Sequence, residues 1–118
     1  MTGAPPRAAI HVAVIGLGAI GREVLKAVRA RPSLALAGVY DPAFVGQDAG
    51  AVAGLGPLGL MVAPSLEAAL AKADVALVLT LSDVAEMVPI VDAAGAAGVD
   101  LISSCEELAY AELSTPAL

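Results

Sequence analysis

A glycine-rich turn between a strand-like run and a helix-like run limits this chain to few folds. Residues 8–15, Ala-Ala-Ile-His-Val-Ala-Val-Ile, are apolar and rich in β-branched side chains, as a strand buried on both faces requires. Gly16-Leu17-Gly18-Ala19-Ile20-Gly21 follows at once. From Ala19 a helical period begins, with Ile20, Val24, Ala27 and Val28 on one face and Arg22, Lys26 and Arg29 on the other. Arg31-Pro32 stops it.

The same alternation continues. Leu34–Tyr40 is a second buried strand, ending at Asp41-Pro42. A short helix is expected near Asp48–Ala53, a short third strand at Leu60–Val62, and a helix over Leu66–Lys72 capped by Ser65. Asp74–Thr80 is the clearest strand. Ser82 or Asp83 caps the next helix, with Glu86 at box-like spacing from Asp83. Pro89 is expected to kink that helix early, and Gly98 to end it. Val99–Ile102 is a fifth strand. Alternating apolar strands and helices imply an α/β domain, a doubly wound parallel sheet of order 3-2-1-4-5. The boundaries expected are a flexible N-terminus over residues 1–8 and a single domain over 9–118.

Composition narrows the function. The 118 residues carry 6 Lys+Arg against 12 Asp+Glu, a net charge of −6, with 58 % hydrophobic and only 3 % aromatic residues. An acidic chain with few aromatics suits neither nucleic acid nor an anionic membrane. A single Cys leaves no intramolecular disulfide, and one His with one Cys makes a metal site an unpromising reading. Residues 49–66 lack charge but are broken by Gly and Pro, so they read as loops rather than a membrane span. With no secretory signal at the start, a reduced, cytoplasmic setting is the expectation.

G-x-G-x-x-G acquires meaning from its place between strand and helix. Gly16 allows the tight turn, Gly18 lets a pyrophosphate approach the backbone, and Gly21 lets the helix pack close to the sheet. The amides of Gly18, Ala19, Ile20 and Gly21 then face the phosphates with the positive end of the helix dipole. Asp41, about twenty residues on, stands where an acid accepts from the adenosine ribose hydroxyls. Its charge would repel a 2′-phosphate, and no Lys or Arg lies between Arg31 and Lys72. NAD is therefore expected over NADP. The alternative for Asp41 is a plain turn residue before Pro42. Thr80 and Ser82, at a strand's carboxyl end, would line the nicotinamide side, unless Ser82 only caps a helix. Glu106 and Glu107 stand on the same side as candidate substrate-binding or acid/base groups; the bland reading is an acidic first helical turn capped by Ser104. His11 falls at the opposite edge of the sheet, and Cys105 reads as a pocket wall.

Val12–Gly21, Asp41-Pro42, Gly46-Gln-Asp-Ala-Gly50 and Ser103-Ser-Cys-Glu-Glu-Leu108-Ala-Tyr110 together resemble the N-terminal half of the 2,4-diaminopentanoate dehydrogenases. Native amine dehydrogenases are similar, and both are relatives of dihydrodipicolinate reductase. The resemblance runs from about Ile10 to Tyr110. It implies hydride transfer between NAD(P)H and an imine or amine carbon of a small molecule, with one glutamate of the Glu106-Glu107 pair handling the substrate nitrogen; which one stays open. Family members carry a second α/β domain that supplies most of the substrate pocket and the dimer contacts. The chain stops at Leu118, so the expectation is a cofactor domain incomplete as an enzyme, self-associating through exposed apolar surface. The alternatives are a dihydrodipicolinate reductase-like activity and a non-catalytic dinucleotide-binding module or subunit.

Overall fold

The computed structural model describes residues 9–79 and 84–103. Within them the chain runs β1 (Ile10–Ile15), α1 (Ala19–Ala30), β2 (Leu34–Tyr40), α2 (Ala49–Ala53), α3 (Leu66–Leu70), β3 (Val75–Val78), α4 (Val84–Ala97) and β4 (Asp100–Ser103). The sheet has the order β2-β1-β3-β4, and every pairing is parallel. This is the α/β architecture expected. The N-terminal residues 1–8 and the expected caps Ser82 and Asp83 lie outside the described residues.

β1 shows why the sheet needs cover on both sides. Successive strand side chains point to opposite faces. Ala13 and Ile15 enter one core with Ala69, Leu70, Ala76, Val78, Met87, Ile90 and Ala94, beneath α3 and α4. Val12 and Val14 enter the other with Leu17, Leu25, Val28, Val39 and Ala53, beneath α1 and α2. A strand buried on both faces, as β1 is over Val12–Ile15, sits between two helical layers.

α1 is rotated from the expected face. Gly21, Leu25 and Val28 are its buried residues. Val24 is half-buried, Ala27 is exposed, and Ile20 is 63 % exposed. The rotation is set by a backbone contact: a Cβ at Gly21 would overlap the Gly16 carbonyl oxygen. With Gly21 facing the sheet, positions four and seven residues later follow it inward and Ile20 turns out. The C-terminal half carries Arg29, which complements the dipole.

The expected third strand does not form. Leu60–Val62 has strand composition, yet its backbone turns to the preceding loop. Ala49 N–H donates to Leu60 O at 2.8 Å, Val62 N–H to Gln47 O at 2.8 Å, and Gly46 N–H to Val62 O at 3.2 Å. An isolated antiparallel bridge, Asp48 to Met61, is all that remains of a ladder. Only Ala63 N–H, donating to Val39 O at 2.8 Å, reaches β2. The expected order 3-2-1-4-5 thereby loses its first edge strand, and the remaining order 2-1-4-5 is the one observed.

Asp48 causes this refolding. Its Oδ1 accepts from Ala51 N–H (3.1 Å) and Leu58 N–H (3.0 Å), and its Oδ2 from Gly59 N–H (2.8 Å). One carboxylate thus caps α2 and draws residues 58–59 back over it. These amides, Leu58 foremost, hold the Asp48 carboxyl below its usual 3.8. A depressed folded-state value contributes stability at pH above the unfolded-state value, and that contribution is lost as pH falls through the folded-state value. Thermal melts should therefore show the melting temperature of the wild type falling below about pH 4. Asp48→Ala should lower it by several degrees at neutral pH and flatten that acid limb, whereas Asp48→Asn should recover part of the loss.

Two further details follow local chemistry. α4 runs as one helix from Val84 to Ala97 with Pro89 inside it, so the proline does not end the element. Gly98, at φ +70°, closes the helix, with Gly98 N–H on Gly95 O and Val99 N–H on Ala94 O, the paired bonds of a Schellman ending. Among the described residues no helix is long and apolar enough to cross a membrane.

Candidate dinucleotide site

The carboxyl ends of β1, β2 and β3 meet at the glycine turn. β1 pairs with β2 on one side and β3 on the other, so the chain reverses its direction of winding here. Crevices of this kind are where ligands bind in open α/β sheets.

The turn is built one peptide at a time. Gly16 takes φ +101°, a conformation that side chains disfavour. Its N–H donates to Tyr40 O at 2.8 Å, tying the turn to the end of β2. Leu17 is fully buried and anchors the turn in the core beneath α1. Gly18 is the N-cap of α1 and brings no side-chain cap. Its carbonyl accepts from Arg22 N–H at 3.0 Å, starting the helix. A Cβ placed on Gly18 would meet nothing within 4 Å. The surface over Gly18 is therefore open, and the amides of Ala19, Ile20 and Gly21 belong to the group that no helix can satisfy internally.

Asp41 closes the other wall. Its Oδ2 accepts from Leu17 N–H at 2.7 Å and its Oδ1 from Ala43 N–H at 2.9 Å. The second bond is the turn before Pro42 read as the alternative role; the first bond ties the carboxylate to the glycine turn as well. Each oxygen keeps a further lone pair for a hydroxyl donor.

Gly16, Gly18, Ala19, Ile20, Gly21 and Asp41 are thus brought together at one corner. Thr80, Ser82, Glu106 and Glu107, along with Ser104 and Cys105, lie outside the described residues. His11 sits at the far end of β1, where its Nδ1 lies 3.3 Å from Asp74 Oδ2 and its N–H donates to the same oxygen at 2.9 Å. The His11 N–H is the main cause that holds the Asp74 carboxyl below its ordinary value. A groove of about 400 Å³ near that end, lined by Arg29, Leu34, Leu36, Leu58 and Leu60 among others, offers one cation and no converging set of polar groups.

One residue at the corner escaped the sequence reading. Arg22, assigned there to a solvated helix face, turns its Nε–H onto Leu17 O at 3.1 Å. A cation in the first turn opposes the helix dipole by about 0.3–1 kcal/mol, and α1 has no acid in that turn to offset it. That misplaced charge was the available signal.

The comparisons with known proteins agree with this geometry. Residues 10–107 match the family described as dihydrodipicolinate reductase, N-terminus. The chain belongs to this family. Its curated relatives include the 4-hydroxy-tetrahydrodipicolinate reductase of Gloeobacter violaceus, 47 % identical over 60 residues, which are 50 % of this chain and 22 % of that protein. The same enzyme of Anaeromyxobacter dehalogenans is 40 % identical over 88 residues, 72 % of this chain and 32 % of its own length. The chain thus spans about a fifth to a third of the curated relatives it matches. Among solved structures, an amine dehydrogenase from Mycobacterium smegmatis superposes with a TM-score of 0.80 at 27 % identity, covering 91 % of this chain and 33 % of that one. GenD2 from gentamicin A biosynthesis, solved in complex with NAD, gives 0.60 at 26 % identity over 86 % of this chain and 29 % of its own.

Proposed function

We propose that this dihydrodipicolinate reductase-like domain binds a nicotinamide dinucleotide, NAD in preference to NADP, for an oxidoreductase that works on a carbon–nitrogen bond. The observation that carries the reading is the open surface over Gly18, with unpaired first-turn amides on one side and the Asp41 carboxylate on the other. Backbone amides at a helix start suit a diphosphate, and a carboxylate beside them suits ribose hydroxyls. Ala19, Ile20 and Gly21 would hold the diphosphate, Asp41 the adenosine ribose, and Thr80 and Ser82 the nicotinamide side. When bound, the cofactor supplies hydride exchange with the substrate carbon.

The activities of the relatives support the reaction class. A 4-hydroxy-tetrahydrodipicolinate reductase and an amine dehydrogenase are both compatible with the imine or amine carbon expected. The sequence identities favour the reductase, whereas the TM-score of 0.80 favours the amine dehydrogenase. The finer resemblance to 2,4-diaminopentanoate dehydrogenases rests on Ser103–Tyr110. In this reading one of Glu106 and Glu107 handles the substrate nitrogen.

Calorimetric titration of the 118-residue chain with NADH and NADPH tests the cofactor reading. NADH is expected to bind about tenfold more tightly, since a 2′-phosphate would sit against the Asp41 charge. Asp41→Asn, which keeps an acceptor for Leu17 N–H and loses the charge, should narrow the gap. Equal binding of both cofactors by the wild type would overturn the preference.

A further inference from the structure

We propose that Arg22 is a positioning residue for the dinucleotide corner, acting through its Nε–H on the Leu17 carbonyl rather than through its charge on the cofactor. The inference rests on the dinucleotide reading above and adds a residue to it. Leu17 is the residue between the two glycines that shape the turn. Asp41 Oδ2 holds its N–H at 2.7 Å and Arg22 Nε holds its carbonyl at 3.1 Å. Two ionised side chains from different elements, one past β2 and one on α1, therefore grip both polar main-chain atoms of one residue.

That grip matters because it sets the peptide after Leu17, which neither the Gly16 N–H bond to Tyr40 O nor the burial of the Leu17 side chain holds directly. Gly16 and Gly18 flank Leu17 and have no side chains to restrict them. Gly18 carries no side-chain cap, and the peptide linking it to Leu17 is the one whose oxygen Arg22 holds. Side chains on a helix lean back toward its N-terminus. A long side chain at position 22 is therefore directed at the turn that precedes its own helix. The charge is poorly placed for the helix, since it faces the positive dipole end. The hydrogen bond gives the residue a role there that helix stability does not.

Bond counting separates the two roles. Gln places its amide nitrogen the same number of bonds from Cα as Arg places Nε, without the charge. Met has similar length and no donor, and Lys keeps the charge with its donor one bond further out. Two readouts apply to Arg22→Gln, Arg22→Met and Arg22→Lys: NADH affinity by calorimetry, and exchange of the Leu17 amide hydrogen, which Asp41 holds, in the cofactor-free chain. Arg22→Met should weaken NADH about fivefold and speed Leu17 exchange by a similar factor, as loss of one hydrogen bond implies. Arg22→Gln should stay within about twofold of wild type in both, and Arg22→Lys should fall between. Arg22 is exposed, so all three should melt near the wild type.

Two outcomes would overturn the proposal. One is Arg22→Met matching wild type in both readouts; the other is Arg22→Gln losing NADH affinity as far as Arg22→Met, which would assign the effect to charge. A wild type that fails to bind NADH would defeat the dinucleotide reading instead. The exchange measurement would still decide whether Arg22 holds the turn.

Discussion

Gly21→Ala should destabilise the domain by on the order of 3 kcal/mol, a loss of roughly 10–20 °C in melting temperature. The added Cβ would overlap the Gly16 carbonyl oxygen, with the carbonyl carbon at 2.8 Å behind it. Neither partner is the end of a flexible side chain, so relief requires α1 to move off the sheet. Leu25 and Val28 are buried on the same face of that helix, and their packing would loosen together. A like effect is expected for Gly38→Ala in β2, where the Cβ would overlap the Ala69 carbonyl and push α3 away. Gly38 faces α3, on the sheet face opposite α1, so this variant separates loss of fold from loss of site. Thermal and chemical denaturation of the three chains check both. A Gly21→Ala chain within 1 °C of wild type would show that the close approach of helix and strand is not what orders this corner.

Gly18→Val should do the opposite. Nothing lies within 4 Å of the added Cβ, and the residue is already extended at φ −69° and ψ −169°, as an N-cap. The fold should survive within about 1 kcal/mol. Binding should not, because the branched side chain would occupy the open surface over the first-turn amides. Calorimetry is expected to give no heat for this variant at about millimolar NADH, where the wild type gives a saturable signal. A Gly18→Val chain that melts like wild type and binds NADH equally well would remove Gly18 from the site. Together the two glycines separate the structural and the ligand-facing uses of one motif.

The alternation of strands and helices was legible because β2 and β3 are apolar throughout and β1 nearly so, and a parallel sheet with helical cover hides such strands. The rotation of α1 was not. Hydrophobicity pointed to Ile20 and Ala27, but alanine says little about burial, and the deciding contact is between the backbones of Gly16 and Gly21. Leu60–Val62 read as a strand by composition. Its backbone was claimed by residues 46–49 because Asp48 gathers Ala51, Leu58 and Gly59 around one carboxylate, and such a long-range cap has no periodic signature. At the candidate site, Gly16, Gly18, Gly21 and Asp41 were singled out by their spacing together with the strand and helix that flank them, and the fold brings them to one corner. The bond from Leu17 N–H to Asp41 showed that the expected ribose acceptor also braces the turn. Arg22 was passed over because its spacing fits a solvated helix face as well as it fits a contact with the turn behind it.

The central claim is that a dinucleotide rests its diphosphate on the amides at the start of α1. Titrating the isotopically labelled chain with NADH and following backbone amide resonances tests it residue by residue. The account predicts saturable shifts concentrated at Leu17–Arg22 and at Asp41–Ala43. Shifts gathered instead around Arg29, Leu36 and Leu58, or no shifts at the glycine turn at about millimolar NADH, would contradict it.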